Sequence, residues 1–291
     1  MGIKVKKAVI PAAGLGTRVL PASKAMPKEM IPIVDKPAIQ YIVEEAAKSG
    51  IEDILIITNR GKSIMEDHFD RSPELEQRLA ASGKTEVYDE MVNLTKLANI
   101  TYIRQHETKG LGHAVYRAKS FVGDEPFAVL YGDDVIIGSN PVCGQLMKTY
   151  EQYGLGTVGI KPVPYEDVSK YCSLKVDKIE ENRFKVTDMV EKPKPEQIMS
   201  NYSILGRCVL PSKIFDILEN TSPGAGGEIQ LTDAMRTLAV SEGMIGVDYD
   251  GVRYDMGNKF GIMKAAIEVG LEHPEIKDEL REYIKDIARK L

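Results

Sequence analysis

The chain has 291 residues, 43% of them hydrophobic and 28% charged, enough to bury about 75% of the surface its unfolded form would expose; this excludes intrinsic disorder and any reliance on disulfides or a structural metal. Its 38 basic and 43 acidic residues give a net charge of −5 with no long block of either sign, which argues against nucleic acid as a partner and makes individually placed cations the ones that matter. The three cysteines, Cys143, Cys172 and Cys208, are far apart and outside any CxxC pattern, so neither a disulfide framework nor a zinc site is expected.

The start, Met1-Gly2-Ile3-Lys4-Val5-Lys6-Lys7, is basic and precedes an apolar stretch, as in a signal peptide, but Pro11, Gly14 and Gly16 interrupt that stretch. Lys6 breaks the myristoylation pattern and no apolar run reaches membrane-spanning length, so a cytoplasmic protein without a membrane partner is expected. Lys7–Ile10 predicts a first strand, followed by a long loop containing Gly and Pro. Residues 38 to 50 place Ile39, Ile42, Val43, Ala46 and Ala47 at helical spacing and close with Gly50, which predicts a helix with a glycine stop. Ile54–Ile57, Ile100–Ile103 and Phe127–Tyr131 are continuous apolar runs, as in strands covered on both faces, and the polar stretch 62 to 97 between them predicts two or three surface helices. The alternation is that of an α/β fold with a mostly parallel sheet. After residue 156 shorter strands follow at Thr157–Ile160, Ser173–Val176 and Lys185–Val190, giving this part an α+β character. Near the end Ile276, Leu280, Tyr283, Ile284, Ile287 and Leu291 form a helical stripe, which either packs on its own domain or contacts another subunit. No Gly/Ser-rich linker divides the chain, so residues 1–291 are expected to form a single domain.

The strongest local signal is Pro11-Ala12-Ala13-Gly14-Leu15-Gly16-Thr17-Arg18, directly after the first strand. Small residues let backbone N–H groups approach a phosphate chain. The spacing is neither GxGxxG, because position 19 is Val, nor a Walker loop, and alone it could equally be a tight turn. Arg18, Lys24 and Lys28 follow within eleven residues of one another, among Pro21, Pro27 and Pro32. Three cations on a proline-stiffened segment of an acidic protein suit a triphosphate clamp.

With its continuation from Lys24 to Pro37, and with Gly110-Leu111-Gly112-His113-Ala114, Val190–Pro193, Gly224–Asp233 and Tyr254-Asp255-Met256-Gly257, this segment resembles the bacterial UTP-glucose-1-phosphate uridylyltransferases, which belong to the sugar-phosphate nucleotidylyltransferases. The resemblance spans nearly the whole chain. It implies a Rossmann-like mixed, mostly parallel sheet flanked by helices, with a nucleotide-binding region at 1–156, a smaller α+β sugar-phosphate-binding region at 157–260 and C-terminal helices at 261–291. It also implies formation of UDP-glucose and pyrophosphate from UTP and glucose 1-phosphate, with Mg2+ as cofactor, in a homodimer or homotetramer. Elementary chemistry fits such a reaction, because a sugar phosphate is mostly dianionic at neutral pH and can attack the α-phosphorus in line without a general base.

The resemblance assigns Asp133 and Asp255 to the metal; both stand at strand ends, where carboxylates suit Mg2+. Asp134 reads as a turn aspartate satisfying backbone N–H groups. Gln105 follows the strand ending at Ile103, at the carboxyl edge where nucleotides bind, and its carboxamide can both donate to and accept from a uracil edge. By resemblance Gln105 and the Gly110 backbone read the base, with Ala12, Ala13, Gly14, Gly16 and Thr17 completing the nucleotide site. Arg18, Lys28 and Lys192 are its catalytic cations, Lys192 pairing with the sugar phosphate, and Glu191 binds sugar hydroxyls. His113, without a metal-ligand partner, reads as a helix-start or core histidine. Cys172 stands where the family usually has Gly, so its backbone would serve the sugar while its side chain bears on sugar choice; Cys208 stands for Tyr, a matter of repacking. A nucleotidylyltransferase using dTTP or another hexose 1-phosphate would carry nearly the same loop. A non-catalytic sugar-nucleotide sensor would be expected to lack Arg18, Lys192 or a metal carboxylate, and a dinucleotide oxidoreductase would need the third glycine.

Overall fold

The computed structural model describes residues 4–291, so Met1, Gly2 and Ile3 of the basic start lie outside the described residues. The elements, in chain order, are β1 (Lys7–Pro11), the short hairpin β2 (Pro32–Ile33) and β3 (Lys36–Pro37), α1 (Ala38–Lys48), β4 (Asp53–Thr58), α2 (Ile64–Phe69), α3 (Pro73–Ala81), α4 (Thr85–Leu94), β5 (Asn99–Arg104), α5 (Leu111–Tyr116), α6 (Lys119–Val122) and β6 (Phe127–Leu130). Then come β7 (Asp134–Ile137), α7 (Val142–Tyr153), β8 (Gly156–Pro162), β9 (Cys172–Glu180), β10 (Arg183–Glu191), β11 (Tyr202–Leu210), α8 (Ile214–Glu219), α9 (Leu231–Ser241), β12 (Met244–Asp248), β13 (Val252–Asp255), α10 (Lys259–Gly270) and α11 (Lys277–Ala288). The polar stretch between β4 and β5 holds three helices, the upper end of the expectation.

A nine-stranded sheet in the order β5-β4-β1-β6-β11-β8-β12-β10-β9 runs through the molecule. β10 and β11 run against the other strands, which makes the sheet mixed but mostly parallel. The α+β part is therefore a continuation of the first sheet. The join is β11, buried along nearly its whole length and hydrogen-bonded to β6 on one side and β8 on the other. A strand covered on both faces and paired on both edges leaves no place for a boundary between two sheets.

Alternation along each strand divides the core between the two faces. On β1, Ala8 and Ile10 join Ile39, Ile42, Val43 and Ala46 of α1 on one face, while Val9 joins Leu55, Phe127 and Leu231 on the other. The chain leaves β1 for β4 and β5 in one direction and returns to β6 on its other side. The carboxyl ends of these four parallel strands thus open a crevice at the point where strand order reverses, the usual ligand position in such sheets.

Candidate active site

Three of the four strand ends contribute a piece of the crevice. Residues 12–18 follow β1, Gln105 follows β5, and Tyr131-Gly132-Asp133 follow β6. The resulting cleft of about 510 Å³ is lined by Ala13, Gly14, Thr17, Arg18, Lys28, Gln105, Gly110 and Asp133, together with Tyr131 and Glu228. Ala12 is buried just beneath it, and Gly16 takes the left-handed turn (φ 68°) that leads into Thr17–Val19. Most of the nucleotide residues read from the sequence are thereby brought to one wall.

Lys28 and Asp133 form the polar centre, with Nζ 2.5 Å from Oδ2. Burial pulls the Lys28 ammonium down, but Asp133 and Glu29 outweigh it and the net shift is upward. For Asp133 burial pushes upward, and Lys28 and Arg18 reverse that, keeping the carboxyl below its ordinary value. Arg18 differs from Lys28 in position: its side chain is 65% exposed against 13%, and its Nη2 stands 3.7 Å from Asp133. Lys24, the third cation of the expected clamp, does not line the cleft.

The second carboxylate comes from the two-stranded antiparallel sheet of β7 and β13, where Asp255 lies opposite Asp134. Met256 N–H donates to the Asp133 carbonyl at 2.8 Å, and Gly257 N–H to Asp255 Oδ1 at 2.8 Å. A Cβ placed on Gly257 would lie 2.9 Å from Asp133 Oδ2, 2.9 Å from Asp255 Oδ1 and 2.6 Å from Arg18 Nη2. Only glycine lets these groups gather there. Two hard-oxygen carboxylates beside an open cleft fit Mg2+, which takes one or two carboxylates and completes its shell with substrate phosphates and water. No cluster of three or more metal-ligating side chains exists among the described residues.

Asp134 corrects the reading of a turn aspartate serving backbone N–H groups. It opens β7, is buried, and accepts from Arg253 Nε at 2.7 Å. Burial pushes its carboxyl up to about 6, against the pull of Arg253. The Arg253 guanidinium also lies 5.3 Å from the centre of the Tyr171 ring.

At the end of the cleft beside β5, Gln105 is buried, and its Nε2 donates to the Gly110 carbonyl at 3.3 Å and to His113 Nδ1 at 2.9 Å, the ring taken with its proton on Nε2. His113 is a half-buried helix-start residue, as expected, and it also orients the Gln105 amide. Gly110 takes φ 102°, and a Cβ there would meet Glu228 Cβ and the Ile229 carbonyl at 2.7 Å each. The Gly224–Asp233 motif supplies this second wall: Ile229 N–H donates to the Lys109 carbonyl and Gly112 N–H to the Ile229 carbonyl, both at 2.8 Å.

Glu191 ends β10 and Lys192 follows it, both outside the lining of that cleft. Burial pushes the Glu191 carboxyl up, although Thr232 Oγ1 donates to it at 2.8 Å. Lys192 is exposed, with left-handed backbone (φ 45°) and its N–H on the Tyr171 carbonyl at 2.7 Å. The Tyr131 ring connects the two regions: burial, with Cys208, Cys172 and Glu191 around it, drives its hydroxyl well above the ordinary value. The Cys172 thiol is buried in the core, where Sγ accepts from Ile204 N–H at 3.2 Å, and burial pushes it up to about 12. Cys208 is likewise buried in β11, a packing position.

Pairings between residues distant in sequence carry no local motif. Glu29, 1% exposed, accepts from Lys62 Nζ at 2.8 Å, and Arg207 lies buried in a bidentate pair with Glu45. Neither Lys62 nor Asn59, on the turn after β4, belongs to a sequence pattern; the only local signal is their place directly beyond a parallel strand's carboxyl end.

A nucleotidyl transferase family model matches residues 7–286. The chain belongs to the nucleotidyltransferase family. It is 55% identical to the UTP–glucose-1-phosphate uridylyltransferase YngB of Bacillus subtilis, over 99% of this chain and 97% of that protein. It is 50% identical to the UTP–glucose-1-phosphate uridylyltransferase of Staphylococcus epidermidis, over 98% and 99%. Among solved structures, a UTP-bound UDP-glucose pyrophosphorylase from Acinetobacter baumannii superposes with a TM-score of 0.89 at 39% identity, covering 96% of this chain and 98% of that one. A UDP-glucose pyrophosphorylase complexed with UDP-glucose gives a TM-score of 0.84 at 41% identity, covering 92% and 100%. The sheet order and helix placement are thus those of nucleotidyltransferases. No helix among the described residues is long and apolar enough to cross a membrane.

Proposed function

We propose that the chain transfers the uridylyl group of UTP to glucose 1-phosphate, releasing pyrophosphate and UDP-glucose, as a cytoplasmic homodimer or homotetramer dependent on Mg2+. The observation that carries this reading is the single cleft that joins the glycine loop, Gln105 and the Lys28–Asp133 pair, with Asp255 alongside. Relatives of 50 to 55% identity bearing that activity in their names support it.

In this reading the amide of Gln105 and the Gly110 backbone receive the uracil edge, while Ala12, Ala13, Gly14, Gly16 and Thr17 shape the wall for the ribose and phosphates. Arg18 and Lys28 neutralise charge on the triphosphate. Asp133 and Asp255 would hold Mg2+, which when bound offsets negative charge on the phosphate oxygens. Lys192 receives the phosphate of glucose 1-phosphate, Glu191 accepts from sugar hydroxyls, and the Cys172 backbone borders the sugar while its thiol stays in the core. The attacking phosphate oxygen is already ionised, so these residues position reactants and offset charge without removing a proton.

Pyrophosphate release measured across UTP, dTTP and several hexose 1-phosphates tests the reading. UTP with glucose 1-phosphate should be the best pair, EDTA should abolish turnover, and added Mg2+ should restore it. Release from no pair would sink the enzyme assignment; full turnover in metal-free buffer would sink the metal. The thymine methyl is worth only about 1–3 kcal/mol of discrimination, so measurable use of dTTP agrees with the reading.

A further inference from the structure

The nucleotide loop is held from behind by two side chains that stand outside every motif. Lys62 Nζ donates to the Ala12 carbonyl at 2.5 Å, and Asn59 Nδ2 donates to the Ala13 carbonyl. Lys62 is 6% exposed and is not part of the cleft lining; Glu29, which does border the cleft, accepts from it at 2.8 Å. Burial pushes Lys62 down and Glu29 up, and the contact between them only partly opposes this, so both net shifts follow burial.

The C=O and N–H of a trans peptide point in opposite directions. Fixing the Ala12 carbonyl on Lys62 therefore turns the Ala13 N–H the other way, and fixing the Ala13 carbonyl on Asn59 does the same for the Gly14 N–H. Ala13 and Gly14 line the cleft, and among the described residues their amides donate to no protein acceptor. Ala12 N–H, by contrast, is used in the sheet, donating to the Ile57 carbonyl at 2.8 Å. Two successive unused N–H groups facing one cavity form an anion-binding concavity. An untethered loop would be free to flip either peptide and present a carbonyl oxygen to a polyanion.

We propose that Asn59 and Lys62 are positioning residues that fix the two peptide units of the loop so that the Ala13 and Gly14 N–H groups face the nucleotide. Glu29 serves the same end by fixing Lys62. This rests on the reading that residues 12–18 hold UTP, and it adds the residues that make the loop a donor surface.

The test is the substrate selectivity of the defect. Asn59→Asp keeps the size of the side chain but removes the donor; KM for UTP should rise about tenfold, the scale of one charge-assisted hydrogen bond, while KM for glucose 1-phosphate stays within about twofold. Lys62→Met combined with Glu29→Gln, which leaves no unpaired buried charge, should give the same split and supplies the answer if Asn59→Asp fails to fold. Circular dichroism and the thermal midpoint establish folding in each case. Unchanged KM for UTP in a folded variant, or equal rises for both substrates, would overturn the proposal. Arg18→Ala, measured in parallel, separates the two levels. If Arg18→Ala impairs turnover and the folded variants do not alter KM for UTP, only the tethering falls; if Arg18→Ala is also silent, the loop is not the nucleotide site.

Discussion

The two halves of the candidate site are built differently. On the nucleotide side the charged groups are already paired: Lys28 on Asp133, Lys62 on Glu29, Arg253 on Asp134. On the sugar side Glu191 leans on a neutral hydroxyl, and Lys192 stands exposed with no carboxylate within salt-bridge distance among the described residues. Triphosphate is the more highly charged reactant, and a site that must desolvate it gains from donors fixed before it arrives. In the proposed function the sugar phosphate is met by an exposed lysine whose backbone is fixed on the Tyr171 carbonyl. The difference implies that changes on the nucleotide side act on UTP binding and, at Arg18, on the rate, whereas changes on the sugar side act on the binding of glucose 1-phosphate alone.

The largest effect is expected at Arg18. Exposed and 3.7 Å from Asp133, it is the nucleotide-side cation with room to follow charge as it moves to the leaving pyrophosphate. Arg18→Ala should lower kcat about 100-fold, within the range for removing one transition-state donor, with a smaller rise in KM for UTP. An unchanged kcat with only KM raised would make Arg18 a ground-state anchor and erase the contrast.

Next in size is a paired experiment on the lysines. Lys192→Ala should raise KM for glucose 1-phosphate about tenfold, as for loss of a charged hydrogen bond, and leave KM for UTP nearly unchanged; Lys28→Ala should do the reverse. Initial rates over a grid of both substrates would show the split. Equal effects on both substrates from either variant would contradict the division.

The same contrast separates what was legible in the sequence from what was not. The loop at 12–18, Gln105, Asp133, Glu191 and Lys192 each sit within a short run that follows a strand, so motif and position in the chain suffice to find them. Lys62–Glu29 and Arg253–Asp134 join residues 33 and 119 positions apart, and no local pattern encodes such a meeting. Asp134 looks like a turn residue in the sequence because its partner lies on β13, brought alongside β7 only by long-range antiparallel pairing. The continuity of the sheet through β11 was hidden for the same reason: a buried strand announces itself, but its neighbours do not.

A smaller effect should appear on varying pH. Burial raises the Glu191 pKa, while Lys28 and Arg18 keep Asp133 ionised. In the proposed function Glu191 accepts hydrogen bonds from the sugar, and it does so best as a carboxylate, so KM for glucose 1-phosphate should fall as pH rises through the raised Glu191 value, and KM for UTP should not follow it. The phosphate of glucose 1-phosphate also titrates, its second pKa being about 6; Glu191→Gln keeps that dependence and should lose the remainder. The sign for stability is opposite: a carboxyl whose folded pKa is raised contributes most below its unfolded value, and that contribution is lost as pH rises through the folded one. Thermal midpoints of Glu191→Gln relative to the parent should therefore improve with rising pH; a constant difference would contradict the burial effect.

The smallest effect on catalysis is expected at the end farthest in sequence from the nucleotide loop. The apolar stripe of the last helix divides into two rows. Ile276, Leu280 and Ile284 are half-buried, with Leu280 packed so close to Gly270 that a Cβ there would come within 2.6 Å of it. Tyr283, Ile287 and Leu291 are exposed, as are Phe260 and Met263 of α10. The first row holds α11 to its own chain; the second is the surface that a homo-oligomer would cover. Tyr283→Asp with Ile287→Asp leaves the inner row intact, so the helix should stay docked and kcat should change by less than about twofold, as for surface substitutions away from the site. Light scattering should then report a smaller assembly than the parent. An unchanged assembly would remove α11 from the interface, whereas loss of folded protein would show that the outer row also packs within the chain.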